Sequence, residues 1–411
     1  MNNQDLDLAA RLRTAADFIR AHRNDDPATL RLACAGKKLT FDPEFAVTQI
    51  ECRRKAAGKL GDFISDDFIF PTVTSAEQAS CRQVAAFHAS LTHRGEAILD
   101  MTAGLGIDAM TMYRAGASVS ACEIDSLKAA ALLHNAGVSG AAGLRVINID
   151  SRVILSEPDS RYDVIFIDPA RRDRLNGRTY AFSDCEPDVT ALLPMMRQKA
   201  GRIYIKASPL LDCSLAAAQL GHVDRIYAVS VAGECKELLF EISGGNDSPA
   251  SSRDEISCSA IILDSEGRQT HRLDAALGNN AMPGRYADRT MWETGAYIYV
   301  PDAAVMKIAP WNSILDSYPD IMKAAPNTHL FVSGRHLPDF PGRIFRITEV
   351  PDKKKLRSLK GTQLNVISRN HPLDPPAVRR KFGIREGGDD FLICLGTIDG
   401  PLAVMASRVR T

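Results

Sequence analysis

The stretch AILDMTAGLGIDAM, residues Ala97–Met110, decides how the chain is expected to fold. Its apolar start predicts a buried strand that ends at Asp100, and Gly104 and Gly106 predict a tight loop that opens a helix at about Asp108. Glycine lets a backbone approach a ligand closely, because it has no side chain and tolerates positive φ. The amino terminus of the helix behind the loop attracts anionic groups. The stretch therefore predicts a strand–loop–helix unit that binds a nucleoside cofactor.

Two classes of cofactor fit this loop, and one acidic residue separates them. The residues GLGIDA match the G-x-G-x-x-G/A pattern of dinucleotide sites, with Ala109 in the last place. In dinucleotide sites the strand runs directly into the first glycine, whereas here Asp100 stands four positions before Gly104. A carboxylate in that place would repel a pyrophosphate and attract the ammonium group of S-adenosylmethionine (SAM). The D-x-x-x-G-x-G arrangement therefore favours SAM over NAD.

Acidic residues also follow the next three predicted strands. SVSAC leads to Glu123, RVINI leads to Asp150, and YDVIFI leads to Asp168. Ligands of open α/β sheets bind outside the carboxyl ends of the strands, so these acids and Asp100 are expected to face one crevice. Glu123 is placed to accept both hydroxyls of a ribose, and Asp150 to accept a bond from an adenine amino group. Acids after strands also serve as helix N-caps, which would account for one or two of the four.

Short apolar runs alternate with helical stretches from Ala97 onward, which predicts a doubly wound parallel sheet. The last two runs lie in DRIYAVSVAGECKELLFEI, residues 224–242, where AGECK is too short for a crossover helix. They predict an antiparallel hairpin at one edge of the sheet. Ahead of the sheet, Thr74 and Glu77 have the spacing of a capping box and predict a helix that runs to about Leu91.

Four regions are expected along the chain. Residues 1–70 have helical periodicity, and residues 71–248 form the sheet domain. The polar stretch GGNDSPASSRDE marks a boundary after that domain. Residues 255–325 and 326–411 are expected to form two smaller mixed α/β domains.

Composition narrows the class of protein further. The 411 residues are 45% apolar and 24% charged, as in ordinary soluble proteins. No apolar run approaches the roughly 20 residues that span a bilayer, and the first residues lack the order of a signal peptide. The nine cysteines show no C-x-x-C spacing and the nine histidines no H-x-x-x-H spacing. We therefore expect a cytoplasmic protein with reduced thiols, without a metal site and without membrane association.

The net charge is zero, but cations are concentrated between Arg343 and Arg385. Twelve basic residues lie there, opposed only by Glu349, Asp352 and Asp374. DKKKLRSLK, taken alone, is equally consistent with a solvated surface. A local excess of this size in a neutral chain favours a polyanionic partner.

Four short motifs, DMTAGLG, ACEID, NID and FIDPAR, resemble motifs I to IV of the class I SAM-dependent methyltransferases. That resemblance covers about residues 72–245. The whole chain resembles a bacterial methyltransferase family with a ferredoxin-like insert and a C-terminal THUMP-like domain, on the stretch NHPLDPPAVRRKFGIREGGDDFLICLGT. It implies a Rossmann-like parallel sheet with an antiparallel terminal hairpin, a helical N-terminal region and mixed α/β C-terminal domains. THUMP domains bind RNA, which would explain the basic segment 343–385 by analogy.

The resemblance also implies where SAM would bind. The loop from Gly104 to Gly106 would hold the methionine part, Glu123 the ribose and Asp150 the adenine, with Ile124 against the adenine face. The expected cofactor residues are Asp100, Thr102, Ala103, Gly104, Leu105, Gly106, Glu123, Ile124, Asp150, Ser151 and Asp168.

Asp168, Pro169, Arg171 and Lys206 are the expected substrate-handling residues. Asp168 is best placed to position the substrate or to remove its proton. Amino methyltransferases that act on bases commonly carry N/D-P-P-Y/F after the fourth strand, but here Ala170 and Arg171 replace the last two residues. The stacking ring is lost, and an arginine that stacks on a base or holds a phosphate is gained. For Lys206, contact with a phosphate and simple solvation are equally expected.

The sequence thus favours a SAM-dependent methyltransferase that acts on RNA. Two alternatives stay open, a non-catalytic RNA-binding or assembly protein with a SAM fold, and a methyltransferase of proteins or small molecules. DPAR also resembles the motif of RNA uridine-C5 methyltransferases, which need a nucleophilic cysteine. Cys235 in the terminal hairpin is expected to be an incidental thiol. The sequence predicts neither the methylated atom nor the oligomeric state.

Overall fold

The computed structural model describes residues 7–171, 182–245, 255–278 and 284–409. The chain divides into two compact units. The first unit comprises Met1–Ile226, Lys236–Ser251 and Asp264–Arg268, and the second Tyr227–Cys235, Ser252–Leu263 and Gln269–Thr411.

The first part of the chain alternates helices and strands. The helices are α1 Leu8–Ala21, α2 Pro27–Cys34, α3 Pro43–Leu60, α4 Val73–Gln78, α5 Arg82–Ser90, α6 Ile107–Arg114, α7 Ser126–Val138, α8 Ser151–Ser156, α9 Val189–Lys199 and α10 Cys213–Leu220. The strands are β1 Ala97–Asp100, β2 Ser118–Cys122, β3 Arg145–Ile147, β4 Tyr162–Ile167, β5 Ala170–Arg171, β6 Cys185–Glu186, β7 Ala200–Ala207, β8 Arg225–Val231 and β9 Glu234–Ser243.

Helices α1 to α3 form the expected helical N-terminal region. In α1 the buried residues Leu8, Leu12, Ala15 and Ile19 recur at intervals of three and four, so they share one face. That face joins a buried apolar cluster with residues of α3. An aspartate side chain caps each of the three helices by accepting a backbone N–H of the first turn.

The sheet of the first unit confirms the predicted fold class. Strands β7, β4, β1, β2 and β3 lie side by side in that order and are parallel, and β9 pairs antiparallel with β7. Residues 164–167 of β4 are all buried, as expected of a strand covered on both faces. The chain reverses direction across the sheet at β1: β2 and then β3 lie on one side of it, and β4 pairs with its other edge. A crevice therefore opens at the carboxyl end of β1, where such folds bind ligands.

The predicted helix from Thr74 to Leu91 is wrong in two respects. Thr72, rather than Thr74, caps the helix, and its side chain accepts the Ser75 N–H at 3.1 Å. The helix then ends at Gln78, and α5 starts separately at Arg82. The interruption at residues 79–81 places Ser80 outside both helices, where its hydroxyl contributes to the site described below.

The second part of the chain is mostly strands. These are β10 Ser257–Leu263, β11 Gln269–Ala276, β12 Tyr297–Pro301, β13 Met322–Ala325, β14 Thr328–Ser333, β15 Gly342–Glu349, β16 Asn365–Arg369, β17 Asp390–Thr397 and β18 Gly400–Arg408. The helices are α11 Ala303–Ile308, α12 Trp311–Ser317, α13 Lys353–Ser358 and α14 Pro375–Phe382.

One sheet of the second unit has the strand order β13-β14-β12-β15-β18-β17-β16. Only the pair β16–β17 is parallel among the described pairs of this sheet. The sheet contains strands from both expected C-terminal domains, 255–325 and 326–411.

Successive side chains of a β-strand point to opposite faces of the sheet. Strand β17 therefore contributes to two apolar clusters, one on each face. Ile393 and Leu395 join the cluster on one face of the sheet, and Leu392 and Cys394 join the cluster on the other. The second cluster also contains Val378 of α14 and contacts Leu356 of α13. Both helices thus bury their apolar sides against this face, which leaves their basic residues outside.

Candidate active site and basic surface

The glycine loop connects β1 to α6 as the sequence predicts. Gly106 has φ of +82° directly before the helix, and a Cβ added to it would lie 1.9 Å from Cδ1 of the buried Leu132. Gly104 also has positive φ, +55°, but a Cβ on it would meet only the Thr102 carbonyl oxygen, at 3.9 Å. Glycine is therefore needed at residue 106 for close packing, whereas at residue 104 the loop leaves open space for a ligand.

Glu123 ties the loop to the end of β2. Its carboxylate accepts the Gly104 N–H at 3.0 Å through Oε2 and the Asp125 N–H at 2.8 Å through Oε1. The residue is 8% exposed. Because a carboxylate accepts about four hydrogen bonds, Glu123 has capacity left for the hydroxyls of a ribose.

Asp100, the last residue of β1, is buried and accepts the Thr102 N–H at 3.1 Å. Burial, together with the nearby Asp108 carboxylate, raises the pKa of Asp100 to about 8. A cationic group bound close to Asp100 would restore the ionised form.

Asp150 follows β3 by three residues and caps α8, since its Oδ1 accepts the Arg152 N–H at 3.0 Å. The same carboxylate accepts three hydrogen bonds from the Arg152 guanidinium, one of 2.9 Å through Oδ1 and two of 2.8 and 2.5 Å through Oδ2. Helix capping, the ordinary explanation for an acid after a strand, thus applies to Asp150, and contact with an adenine stays a prediction for it.

Asp168 follows β4 and is fixed from two directions. Its backbone N–H donates to the Thr102 hydroxyl at 2.8 Å, and its Oδ2 lies 2.7 Å from Nζ of Lys206. The Asp168 side chain is 44% exposed, so the carboxylate stays accessible.

Lys206 is neither solvated nor directed at a phosphate, which corrects the expectation for its contacts. The residue is buried near the end of β7, and Nζ donates to Asp168, to the Ser80 hydroxyl at 2.7 Å and to Oδ2 of Asp108 at 3.5 Å. Burial lowers the pKa of Lys206, but the carboxylates of Asp168 and Asp108 outweigh that effect and raise it well above its ordinary value. The three N–H groups of the ammonium are thus directed at protein atoms.

His88 and Glu237 complete this group of charges, and the sequence did not indicate either. His88 of α5 is buried, with Nδ1 at 2.8 Å from Asp108 and Nε2 at 2.5 Å from Glu237 of β9. Burial opposes the charge on the ring, but the two carboxylates raise the pKa of His88 to about 9. We call Ser80, His88, Asp108, Lys206 and Glu237 the buried charge cluster.

The strand ends and the loop surround one cavity of about 290 Å³. All the expected cofactor residues line it, namely Asp100, Thr102, Ala103, Gly104, Leu105, Gly106, Glu123, Ile124, Asp150, Ser151 and Asp168. Ile124 is 68% exposed at this cavity, which is unusual for a large apolar side chain beside a buried strand end.

The remaining expected site residues lie around the cavity in different ways. Pro169 is half-buried beside Asp168, and Ala170 lines the cavity from β5. The backbone of Arg171 lies in β5, but its side chain lies outside the described part of the structure, so its role stays a prediction.

A second candidate site is the basic segment 343–385 of the second unit. Eleven of its twelve basic residues are exposed, and Arg379 is half-buried. Within the described residues, ion pairs engage Lys355 with Glu349 at 3.2 Å and Arg379 with Glu386 at 3.4 Å. The other cations of the segment have no described carboxylate within ion-pair distance. Lys353, Lys354 and Lys355 lie together at the start of α13.

The described residues contain neither a metal-binding group nor a membrane-spanning helix. No group of three or more histidine, cysteine, aspartate or glutamate residues is arranged to hold a metal ion there. No helix among these residues is long and apolar enough to cross a membrane.

The order of the strands, the antiparallel β9 and the glycine loop at the cavity define the fold of a class I methyltransferase. The family model of a ferredoxin-like domain matches residues 297–341, and the family model of a THUMP domain-like region matches residues 342–408. The predicted resemblance, to methyltransferases with a ferredoxin-like and a THUMP-like domain, is confirmed. The curated proteins contain no match to the chain.

Among solved structures, a proposed methyltransferase from Porphyromonas gingivalis W83 is similar over the full length of both chains. It is 26% identical in sequence, and the TM-score is 0.82.

Other solved structures match a part of the chain, and two of them serve as examples. The 16S rRNA N2 G1207 methyltransferase of T. thermophilus, in complex with AdoMet and guanosine, is 14% identical with a TM-score of 0.29 and covers 51% of this chain and 44% of its own. An RNA methyltransferase from Salinibacter ruber, in complex with S-adenosyl-L-homocysteine, is 16% identical with a TM-score of 0.30 and covers 42% of this chain and 97% of its own.

Proposed function

We propose that the protein is a cytoplasmic SAM-dependent methyltransferase that acts on RNA. The observation that carries the proposal is the cavity at the carboxyl end of β1, where the glycine loop and four strand-end acids meet in a methyltransferase fold. Binding of SAM, transfer of its methyl group and the RNA substrate all belong to the proposal.

The residues at the cavity fit the parts of SAM one by one. The open space at Gly104 and the amino terminus of α6 suit the carboxylate of the methionine part, and Asp100 suits its ammonium group. Glu123 would accept the ribose hydroxyls, and the exposed side chain of Ile124 would cover one face of the adenine. Asp150 and Ser151 would border its edge.

Asp168 is the group that would handle the substrate. When bound, SAM supplies a methyl group on a positively charged sulfur, which is a strong electrophile. The protein then needs to hold the nucleophile in line and to take up the proton that it loses. The Asp168 carboxylate is accessible at the cavity, and it would accept that proton from a nitrogen that becomes acidic as it is methylated.

A mechanism with a cysteine nucleophile is less well supported at this cavity. Cys122 lines the cavity, but it is fully buried at the end of β2. Burial, aided by the Asp100 carboxylate, raises the pKa of its thiol to about 12. Cys122 would therefore stay a thiol, which makes it a poor nucleophile for methylation at a uridine carbon.

The basic segment and the THUMP domain-like match support RNA as the substrate. The exposed cations on α13 and α14 form a surface suited to phosphates, because few carboxylates oppose them. We propose that the RNA-binding part of the expected domain 326–411 is the THUMP domain-like region, residues 342–408. Residues 71–248 would be the methyltransferase domain, and the ferredoxin-like part would be residues 297–341, which cross the expected boundary between 255–325 and 326–411.

Isothermal calorimetry with SAM tests the cofactor. Gly104→Asp should abolish measurable binding, because the new carboxylate would occupy the open space at the loop and repel the methionine carboxylate. The matched control is Gly140→Asp, since Gly140 also has positive φ, +73°, with open space around it. No binding by the wild type, or undiminished binding by Gly104→Asp, would contradict the proposal.

A further inference from the structure

The buried charge cluster carries an inference about how Asp168 is held. Both ring nitrogens of His88 face carboxylate oxygens, Asp108 at 2.8 Å and Glu237 at 2.5 Å. A carboxylate only accepts hydrogen bonds, so both ring nitrogens have to donate, and His88 is an imidazolium. Its raised pKa agrees with this assignment.

The same two carboxylates lie close to Lys206. Nζ is 3.5 Å from Asp108 and 3.9 Å from Glu237, compared with 2.7 Å from Asp168. Without the imidazolium, the carboxylates of Asp108 and Glu237 would compete with Asp168 for the single ammonium group. Because His88 binds both of them, Lys206 makes its shortest ion pair with Asp168.

The distribution of exposure supports this division of contacts. The cluster and Asp168 together contain two cations, His88 and Lys206, and three carboxylates. The two carboxylates of the cluster are 12% and 8% exposed, whereas Asp168 is 44% exposed. The excess negative charge therefore lies at the cavity, on the carboxylate that solvent and ligands reach.

We propose that His88 and Glu237 are positioning residues, which act through Asp108 and Lys206 to hold the Asp168 carboxylate toward the cavity. Ser80 supports the same arrangement, because its hydroxyl accepts from Lys206 and donates to Asp108. The inference rests on the proposed binding of SAM at this cavity and does not require RNA as the substrate.

Two nucleoside ligands, used as probes, distinguish the positioning of Asp168 by His88 and Glu237 from a purely structural role of these residues. Sinefungin carries a C–NH3+ group in place of the methylsulfonium of SAM, whereas S-adenosylhomocysteine carries a neutral sulfur there. Wild-type protein should bind sinefungin about ten-fold more tightly, because the ammonium meets an accessible carboxylate. Asp168→Asn should remove the preference, and His88→Gln should reduce it severalfold without changing the affinity for S-adenosylhomocysteine.

The single variant His88→Gln leaves buried carboxylates without a cation and could fail to fold. The double variant His88→Gln/Glu237→Gln removes one cation and one carboxylate, so the net charge of the cluster is unchanged. This double variant should show the same reduced preference. His93→Gln is the control, since His93 is exposed close to α5. The probes are measured by calorimetry on the full chain.

The outcomes distinguish this inference from the proposed function. If neither probe binds the wild type, the proposed function fails. If both probes bind and His88→Gln and the double variant keep the full preference for sinefungin, the positioning role is overturned while the cofactor assignment stands. An equal loss of affinity for both probes in these variants would likewise overturn it, because a structural defect acts on both.

Discussion

The buried charge cluster of the first unit and the basic segment of the second unit use charge in opposite ways. In the cluster, His88 and Lys206 are 1% and 7% exposed at their side chains, and each lies against two or more carboxylates. In the basic segment, eleven of the twelve cations are exposed, and most have no described carboxylate within ion-pair distance. Buried ions interact strongly and hold one geometry, whereas exposed ions interact weakly and are screened by salt.

This difference indicates what each region is able to do. A few fixed charges beside the cavity are suited to orienting one carboxylate for chemistry. Many exposed charges on a surface are suited to attracting a polyanion without specifying its sequence. Mutations should therefore have large, local effects in the cluster and small, additive, salt-dependent effects in the basic segment.

The largest expected effect is on the free energy of unfolding, when one lysine in each region is replaced by methionine in separate variants. Lys206→Met leaves buried carboxylates without their cation and should lower the free energy of unfolding by about 3–5 kcal/mol. Lys355→Met breaks only the exposed pair with Glu349 and should lower it by about 0–1 kcal/mol. Urea denaturation at pH 7 measures both. An equal loss of unfolding free energy in the two variants would contradict the difference between the two regions.

A second prediction concerns the dependence of stability on pH. The pKa of His88 is raised in the folded protein, from 6.5 to about 9, so the folded state binds a proton that the unfolded chain releases in that range. The contribution of His88 is thus fully present below pH 6.5 and is lost as the pH rises through 9, by up to about 3 kcal/mol.

Urea denaturation between pH 6 and pH 9 tests this dependence. Asp100 changes stability in the same direction below pH 8, because its folded pKa is also raised. The difference between wild type and His88→Gln therefore isolates His88, and it should shrink toward pH 9. A difference that stays constant over this range would show that His88 is not an imidazolium.

A smaller effect is expected in the basic segment. Replacing Lys353, Lys354 and Lys355 by glutamate should weaken binding to single-stranded RNA about ten-fold at low salt and flatten the plot of log K against log salt by about 2. The affinity for SAM should not change. The control replaces the exposed Lys37 and Lys38 by glutamate. RNA affinity that is unaltered by the triple change, or lowered equally by the control, would remove the segment from the RNA site.

Much of the fold followed from local sequence. The glycines of the loop, the apolar runs and the short AGECK connection each fix a local conformation, and together they predicted the parallel sheet with an antiparallel β9. The expected position of the last two strands at an edge of the sheet is wrong, because β10 is the neighbour of β8 and β11 follows β10. The end of the helix at Gln78 was missed, because the spacing of Thr74 and Glu77 imitates a capping box while the Thr72 side chain makes the cap.

The cavity was also predictable, because strand ends in a parallel sheet meet at one edge and all the expected cofactor residues are strand-end or loop residues. The buried charge cluster was not predictable. His88 lies 149 residues from Glu237 in sequence, and Lys206 lies 126 residues from Ser80. From the sequence, Lys206 was therefore interpreted as a solvated or phosphate-binding residue. No sequence pattern around His88 predicted a role for it.

Transfer of tritium from methyl-labelled SAM to total RNA, taken from cells that lack the gene, tests the central claim most directly. Wild-type protein should label the RNA, Gly104→Asp should not, and Gly140→Asp should label it as the wild type does. Absence of label with a wild-type protein that binds SAM, or equal labelling by Gly104→Asp, would contradict the claim that the cavity at the end of β1 methylates RNA.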